Sequence, residues 1–177
     1  LRMILASSYA SQRKFDEADS ELKDIIKNHP DYVLAYEAIW QLTRQRPDAS
    51  SQTPRDWLNL AVKNNPSSAM AYIIRANSYL MDGDSENALA DLAQAEKQDV
   101  NDTKVRLSLA ITLINANVMD RAEEHLRALQ AVDPTNQSLW QVWARFAQKS
   151  GSQEKMFEIA DTGLKELSNQ PWDFMLV

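Results

Sequence analysis

Residues 67–100 read SSAMAYIIRANSYLMDGDSENALADLAQAEKQDV. Apolar side chains recur there at steps of three and four on either side of a short polar break, which is the period of a helix and not the alternation of a strand. Asp84 suits a helix start, because its carboxylate can accept from first-turn amides. Gly83, just before it, suits the left-handed residue that closes the preceding helix. The stretch is thus a pair of helices, near 68–81 and 85–98, joined by a tight turn.

The same marks return along the chain. Pro30, Pro66 and Pro134 are 36 and 68 apart, and 68 is twice 34. Ala6, Ala76, Ala110 and Ala144 are separated by 70, 34 and 34; Ala18, Ala88 and Ala122 by 70 and 34. Leu22, Leu58, Leu92 and Leu126 run at 36, 34 and 34, and Gly83, Asn117 and Gly151 at 34 and 34. Independent residue classes sharing one period are the signature of a structural repeat. Five helix pairs are expected: 1–12 with 15–28, 33–45 with 54–64, 68–81 with 85–98, 103–116 with 119–131, and 137–150 with 153–168. Thr53 and Ser152 are further N-caps, and Pro54 sits where a first helical residue tolerates proline.

Composition agrees with this reading. Of 177 residues 44% are hydrophobic and 25% charged, with only three glycines and six prolines, too few for the many turns of an all-β fold. Nineteen basic against 25 acidic residues give a net charge of −6, and no basic face or run marks a nucleic-acid binder. No apolar stretch reaches the length of a membrane span. The lack of cysteine excludes thiolate chemistry without naming a compartment; the compact, cysteine-free repeats suggest a bacterial cytoplasmic or periplasmic origin.

The residues resemble the tetratricopeptide repeat family. The third repeat matches best, with Tyr72, Ala76, Tyr79, Gly83, Ala88, Leu92 and Ala95. The first supplies Leu5, Ala6, Tyr9, Phe15, Ala18, Leu22 and Pro30, and the fourth Leu109, Ala110, Leu113, Ala122, Leu126 and Pro134. The second keeps Tyr36, Leu58, Ala61 and Pro66 but carries Trp40 in a small-residue position, with a longer loop, RPDASSQTP, at 46–54 that reads as a tolerated surface insertion. The fifth keeps Trp140, Ala144 and Gly151, while Met156 and Ala160 replace the usual alanine and large apolar residue. Its Trp140, Trp143 and Phe146 also resemble the half-repeat variant of RNA-processing scaffolds, although the other repeats read as ordinary ones.

The resemblance implies an all-α fold, a right-handed α-solenoid of antiparallel helix pairs. It implies one repeat domain over 1–177, divided 1–30, 31–66, 67–100, 101–134 and 135–170, with a sixth pair opening at 171–177 (PWDFMLV). Neither end carries a polar capping repeat, so an excerpt from a longer solenoid is expected, and the uncapped ends offer a route to a homo-oligomer.

In such solenoids the first helix of each pair lines the concave face, where partners sit. What core packing leaves over on those helices is Met70, Ile73, Asn77 and Met81 in the third repeat and Lys104, Leu107, Ile111 and Ile114 in the fourth. The second repeat gives Glu37, Gln41 and Arg44, the fifth Gln141, Arg145 and Gln148. The expectation is a central apolar strip between polar walls, suited to a partner peptide or helix. The other reading of the strip is internal packing. Chaperone-tail binding is not expected, since Met3, Ser7, Met70 and Ile74 stand where a carboxylate clamp needs polar groups and Arg75 alone echoes it.

Chemistry is hard to find. The two histidines, His29 and His125, are 96 residues apart in non-adjacent repeats, which is poor spacing for a shared metal or acid–base site. No phosphate-binding loop, dinucleotide fingerprint or nucleophile elbow occurs. The acidic run Asp16, Glu17, Asp19 and Glu21 reads as a solvated helix face. The sequence therefore points to a cofactor-free protein-interaction scaffold. The alternatives are a regulatory or substrate-recruiting segment of a larger enzyme or of a secretion or assembly system, and a self-associating structural unit.

Overall fold

The computed structural model describes residues 1–46, 52–98 and 100–168; most of the long loop at 46–53 and the segment 171–177 lie outside them. Among the described residues there are ten α-helices and no strand. They are α1 (Arg2–Ser11), α2 (Phe15–Asn28), α3 (Val33–Gln45), α4 (Pro54–Asn64), α5 (Ala69–Met81), α6 (Ser85–Glu96), α7 (Thr103–Asn115), α8 (Met119–Val132), α9 (Gln137–Ser150) and α10 (Gln153–Leu167). They fall into two compact units, Leu1–Asp99 and Val100–Val177. In the first, α1 packs on α2, α3 on α4 and α5 on α6, and α2 meets α3 as α4 meets α5. In the second, α7 packs on α8 and α9 on α10, while α9 also touches α8 and α7.

Local chemistry sets the helix ends. Thr53 accepts from the Asp56 amide and Asp56 returns the bond to the Thr53 backbone, a reciprocal capping box with Pro54 following. Ser68, Asp84, Asp102, Asn136 and Ser152 cap α5, α6, α7, α9 and α10 in the same way from one side. At the other ends Gly83, Asn117 and Gly151 take the left-handed conformation expected of them, with φ of 78°, 60° and 66°. Arg13 joins them at φ 60°, which its side chain does not favour. Amides of Lys14, Asp84 and Val118 then reach back to the carbonyls of Tyr9, Tyr79 and Leu113, each at 2.9 Å, satisfying acceptors that the helix end leaves open.

The junctions between successive pairs are made differently. His29, Asn65 and Asp133 each precede a proline and leave the helical region, at φ −136°, −131° and −144°, because the proline ring disfavours helical backbone before it. Each proline carbonyl then accepts from a side chain six residues on: Tyr36 Oη to Pro30 O at 3.0 Å, Tyr72 Oη to Pro66 O at 3.2 Å, Trp140 Nε1 to Pro134 O at 2.7 Å. At the fourth equivalent place there is no proline and no aromatic, yet Arg106 Nε donates to the Val100 carbonyl at 2.9 Å. The acceptors at 30, 66, 100 and 134 carry the repeat that the prolines mark only in part.

The small and leucine series fill the core. Ala18, Ala88, Ala122, Leu58, Leu92 and Leu126 are all fully buried, and Ala6, Ala76 and Ala110 nearly or fully so. Trp40, the departure in the second repeat, is buried as well. The fifth pair breaks the series: Ala144 and Ala160 are exposed, and Met156 is 47% exposed. There Gly163 takes over, since a Cβ at that position would lie 2.9 Å from the Trp140 ring. The indole at 140 needs room on α10, and only a glycine leaves it.

Two substitutions check these contacts. Tyr36 is fully buried, and its hydroxyl also accepts from Asn64 Nδ2 at 2.8 Å. Tyr36→Phe should lower the unfolding free energy by about 0.5–1.5 kcal/mol in urea titration, the net loss of the hydroxyl's hydrogen bonds, since Pro30 O keeps its bond from Asn65 Nδ2 at 2.9 Å. Gly163→Ala should lower it by about 1–3 kcal/mol through overpacking against Trp140, with the loss absent in a Trp140→Leu background.

Candidate functional site

In the first unit the first-helix faces of α3 and α5 lie side by side. Arg44 is already engaged: its guanidinium stacks over the Trp40 ring at 5.2 Å and Nη1 lies 3.5 Å from Met81 Sδ. Met70 is half-buried against the apolar cluster that holds Ile39, Trp40 and Ile74. Asn77 is half-buried, Gln41 exposed, and Met81 62% exposed. Glu37 is half-buried too, and burial raises its carboxyl above the ordinary glutamate value, with no cation or donor among the described residues to offset it.

In the second unit α7 and α9 present Lys104 and Gln141 exposed and Ile111 half-buried. Arg145, also exposed, donates to Asn115 Oδ1 at 2.7 Å and so ties α9 to α7.

The expected apolar strip is corrected at three of its residues. Ile73 and Ile114 are 1% exposed and Leu107 is 9% exposed, so none offers an apolar surface to a partner. The three side chains lie on the packed sides of α5 and α7, whose helices are enclosed by their neighbours, and so they leave water. What stays accessible is more polar than the sequence suggested.

Arg75 has an internal use. Its Nε and Nη2 make a two-pronged pair with Asp91, both bonds at 2.8 Å, and Nη1 reaches Asn59 Oδ1 at 3.1 Å. Asp91 is 5% exposed, and its hydrogen bonds raise the guanidinium pKa further. This pair links α5 to α6 and leaves little of Arg75 for a foreign carboxylate. Sequence reasoning gave Asp91 no role, although Arg and Asp on facing helices at a 16-residue separation could have suggested one.

The second unit also holds a cavity of about 100 Å³ between α8 and α10, floored by Trp140, Trp143 and Phe146 of α9. Glu123 stands at its rim, bound by Lys155 at 2.8 Å and Arg127 at 2.6 Å, and these two cations hold its carboxyl below the usual range. The rings of Trp143 and Phe146 meet edge to face at 5.4 Å. The Glu123–Arg127 spacing of four was readable on a helix; Lys155 was not. Among the described residues no group of His, Asp and Glu is placed to hold a metal, and no helix is long and apolar enough to cross a membrane.

Removing one member of the Arg75–Asp91 pair should be costly. Asp91→Ala is expected to lose about 3 kcal/mol of stability in denaturant titration, because it strands a largely buried guanidinium. Arg75→Met/Asp91→Ala should lose less than Asp91→Ala alone.

Two family models, both described as tetratricopeptide repeat, match residues 2–32 and 79–145, together more than half of the chain. Among solved structures, the MamA protein aligns with a TM-score of 0.62 at 17% identity, covering 99% of this chain and 96% of that one. PilW, a "widely conserved type IV pilus biogenesis factor", aligns with a TM-score of 0.63 at 15% identity over 94% and 76% of the two chains. YrrB, "a TPR protein with an unusual peptide-binding site", gives 0.56 at 15% over 96% and 86%. At such identities the likeness is one of fold. No curated protein matches the sequence. The fold is that of a protein–protein interaction module, and such repeats are generally non-catalytic scaffolds.

Proposed function

The chain belongs to the tetratricopeptide repeat family, and we propose that it works as a scaffold that binds a protein or peptide partner without covalent chemistry or cofactor. Each unit offers a first-helix face for contact: Gln41, Met70, Asn77 and Met81 in the first, and Lys104, Ile111, Gln141 and Arg145 in the second. One observation carries the reading. Glu37 and Asn77 are half-buried on adjacent first helices, yet neither side chain forms a hydrogen bond or ion pair with a described residue. Polar atoms that the fold leaves without an internal partner but open to solvent are free to pair with a bound molecule. A bound segment supplies the partners here.

A second reading, self-association, is supported by apolar side chains that no neighbour covers: Phe157 and Leu164 on α10, 75% and 61% exposed, and Ile4 on α1, 71% exposed.

One experiment separates the two. A photo-crosslinking residue is placed singly at Asn77, Gln141, Leu164 and, as an outward-facing control, Glu124, and each protein is irradiated in source-cell extract. The scaffold reading expects a shared partner band from positions 77 and 141 and none from 124. A band at twice the chain mass from position 164 alone would favour self-association. Equal labelling from every position would overturn both.

A further inference from the structure

We infer that Glu37 is the anchor for a lysine or arginine side chain of the bound segment, an inference that rests on the α3–α5 face being partner-facing. Glu37 is the exception among its peers. In the first unit the other buried or half-buried carboxylates are all engaged: Asp91 by Arg75 at 2.8 Å, Asp19 by Lys23 at 2.7 Å, Asp84 by the Asn87 side chain at 2.7 Å. Glu21 keeps an ion pair with Arg2 at 3.9 Å, although its buried Oε2 accepts no hydrogen bond, and Glu96 is partnered too; Glu37 alone has neither a hydrogen bond nor an ion pair with a described residue.

The surroundings explain why no described residue answers Glu37. One turn away on either side along its face of α3 stand Val33 and Gln41, neither of them cationic. Arg44 lies two turns on, about 10 Å along the axis, and is held there by Trp40 and Met81. Met3 and Met70, from the first helices α1 and α5, are packed into the apolar cluster. A carboxylate in such a setting sheds hydration without gaining a counter-ion, which works against folding at neutral pH. A cation delivered by a partner recovers that loss on binding, and in this setting the charge pair is stronger than in open water. A group that opposes folding but favours binding is expected at a recognition site.

The test uses this chain and synthetic peptides. Random dodecapeptides displayed on phage are selected against it, and the best binder is made again with each lysine replaced by norleucine and each arginine by citrulline, one at a time. Affinities are measured for the parent chain, for Glu37→Gln and for Glu158→Gln, which removes an exposed charge elsewhere. One neutralised cation should weaken binding to the parent and to Glu158→Gln at least about tenfold, and to Glu37→Gln less than about twofold. Glu37→Gln itself should melt higher than the parent. Equal losses for all three proteins would overturn the anchor while leaving the binding face intact. Peptides that bind Asn77→Arg and Met81→Arg as well as the parent, or a selection that yields no binder, would overturn the face and the anchor together.

Discussion

The hydrogen bond from a side chain to the carbonyl six residues before it is the contact around which each helix pair after the first is set. A chain that leaves one helix and enters the next must expose backbone acceptors at the bend, and a buried acceptor without a donor is costly. Tyr36, Tyr72, Arg106 and Trp140 each supply that donor while burying a large part of the same side chain in the joint. Where proline holds the acceptor, the ring also keeps the residue before it out of the helical region. The bend and the entry of the next first helix are thus fixed by the same two residues, and the alanine and leucine series pack against a helix already placed.

That economy explains why so much of the fold was legible. The helix ranges read from periodicity fall within a residue or two of the observed ones. Glycine and asparagine were recognisable as left-handed residues because few other residue types tolerate the conformation. Arg13 was not, since nothing about arginine signals a positive φ; only its place, 70 residues before Gly83, could have. The fifth pair was read as a departure, and the structure supplies the reason: with tryptophan at 140, the close approach moves from the alanine positions to Gly163.

The site was legible only in part. Sequence assigns residues to the first-helix face correctly as a stripe, but a stripe has edges. Ile73 and Ile114 are buried at its edge, and a three-and-four spacing does not tell an edge from a centre. The reverse holds for Glu37, which looked like one polar residue among several and is set apart only by the absence of a partner. Pairing between helices, as in Arg75 with Asp91 or Lys155 with Glu123, depends on distances that no local pattern encodes.

Arg106 carries a wider consequence. A phenol, an indole and a guanidinium all perform one task at equivalent places, so the joint is degenerate in chemistry and strict only in reach and spacing. Copies of such a repeat can drift until letter-by-letter likeness is lost while the joint survives. Their kinship is better sought as a donor of suitable length every 34 to 36 positions than as a recurring amino acid.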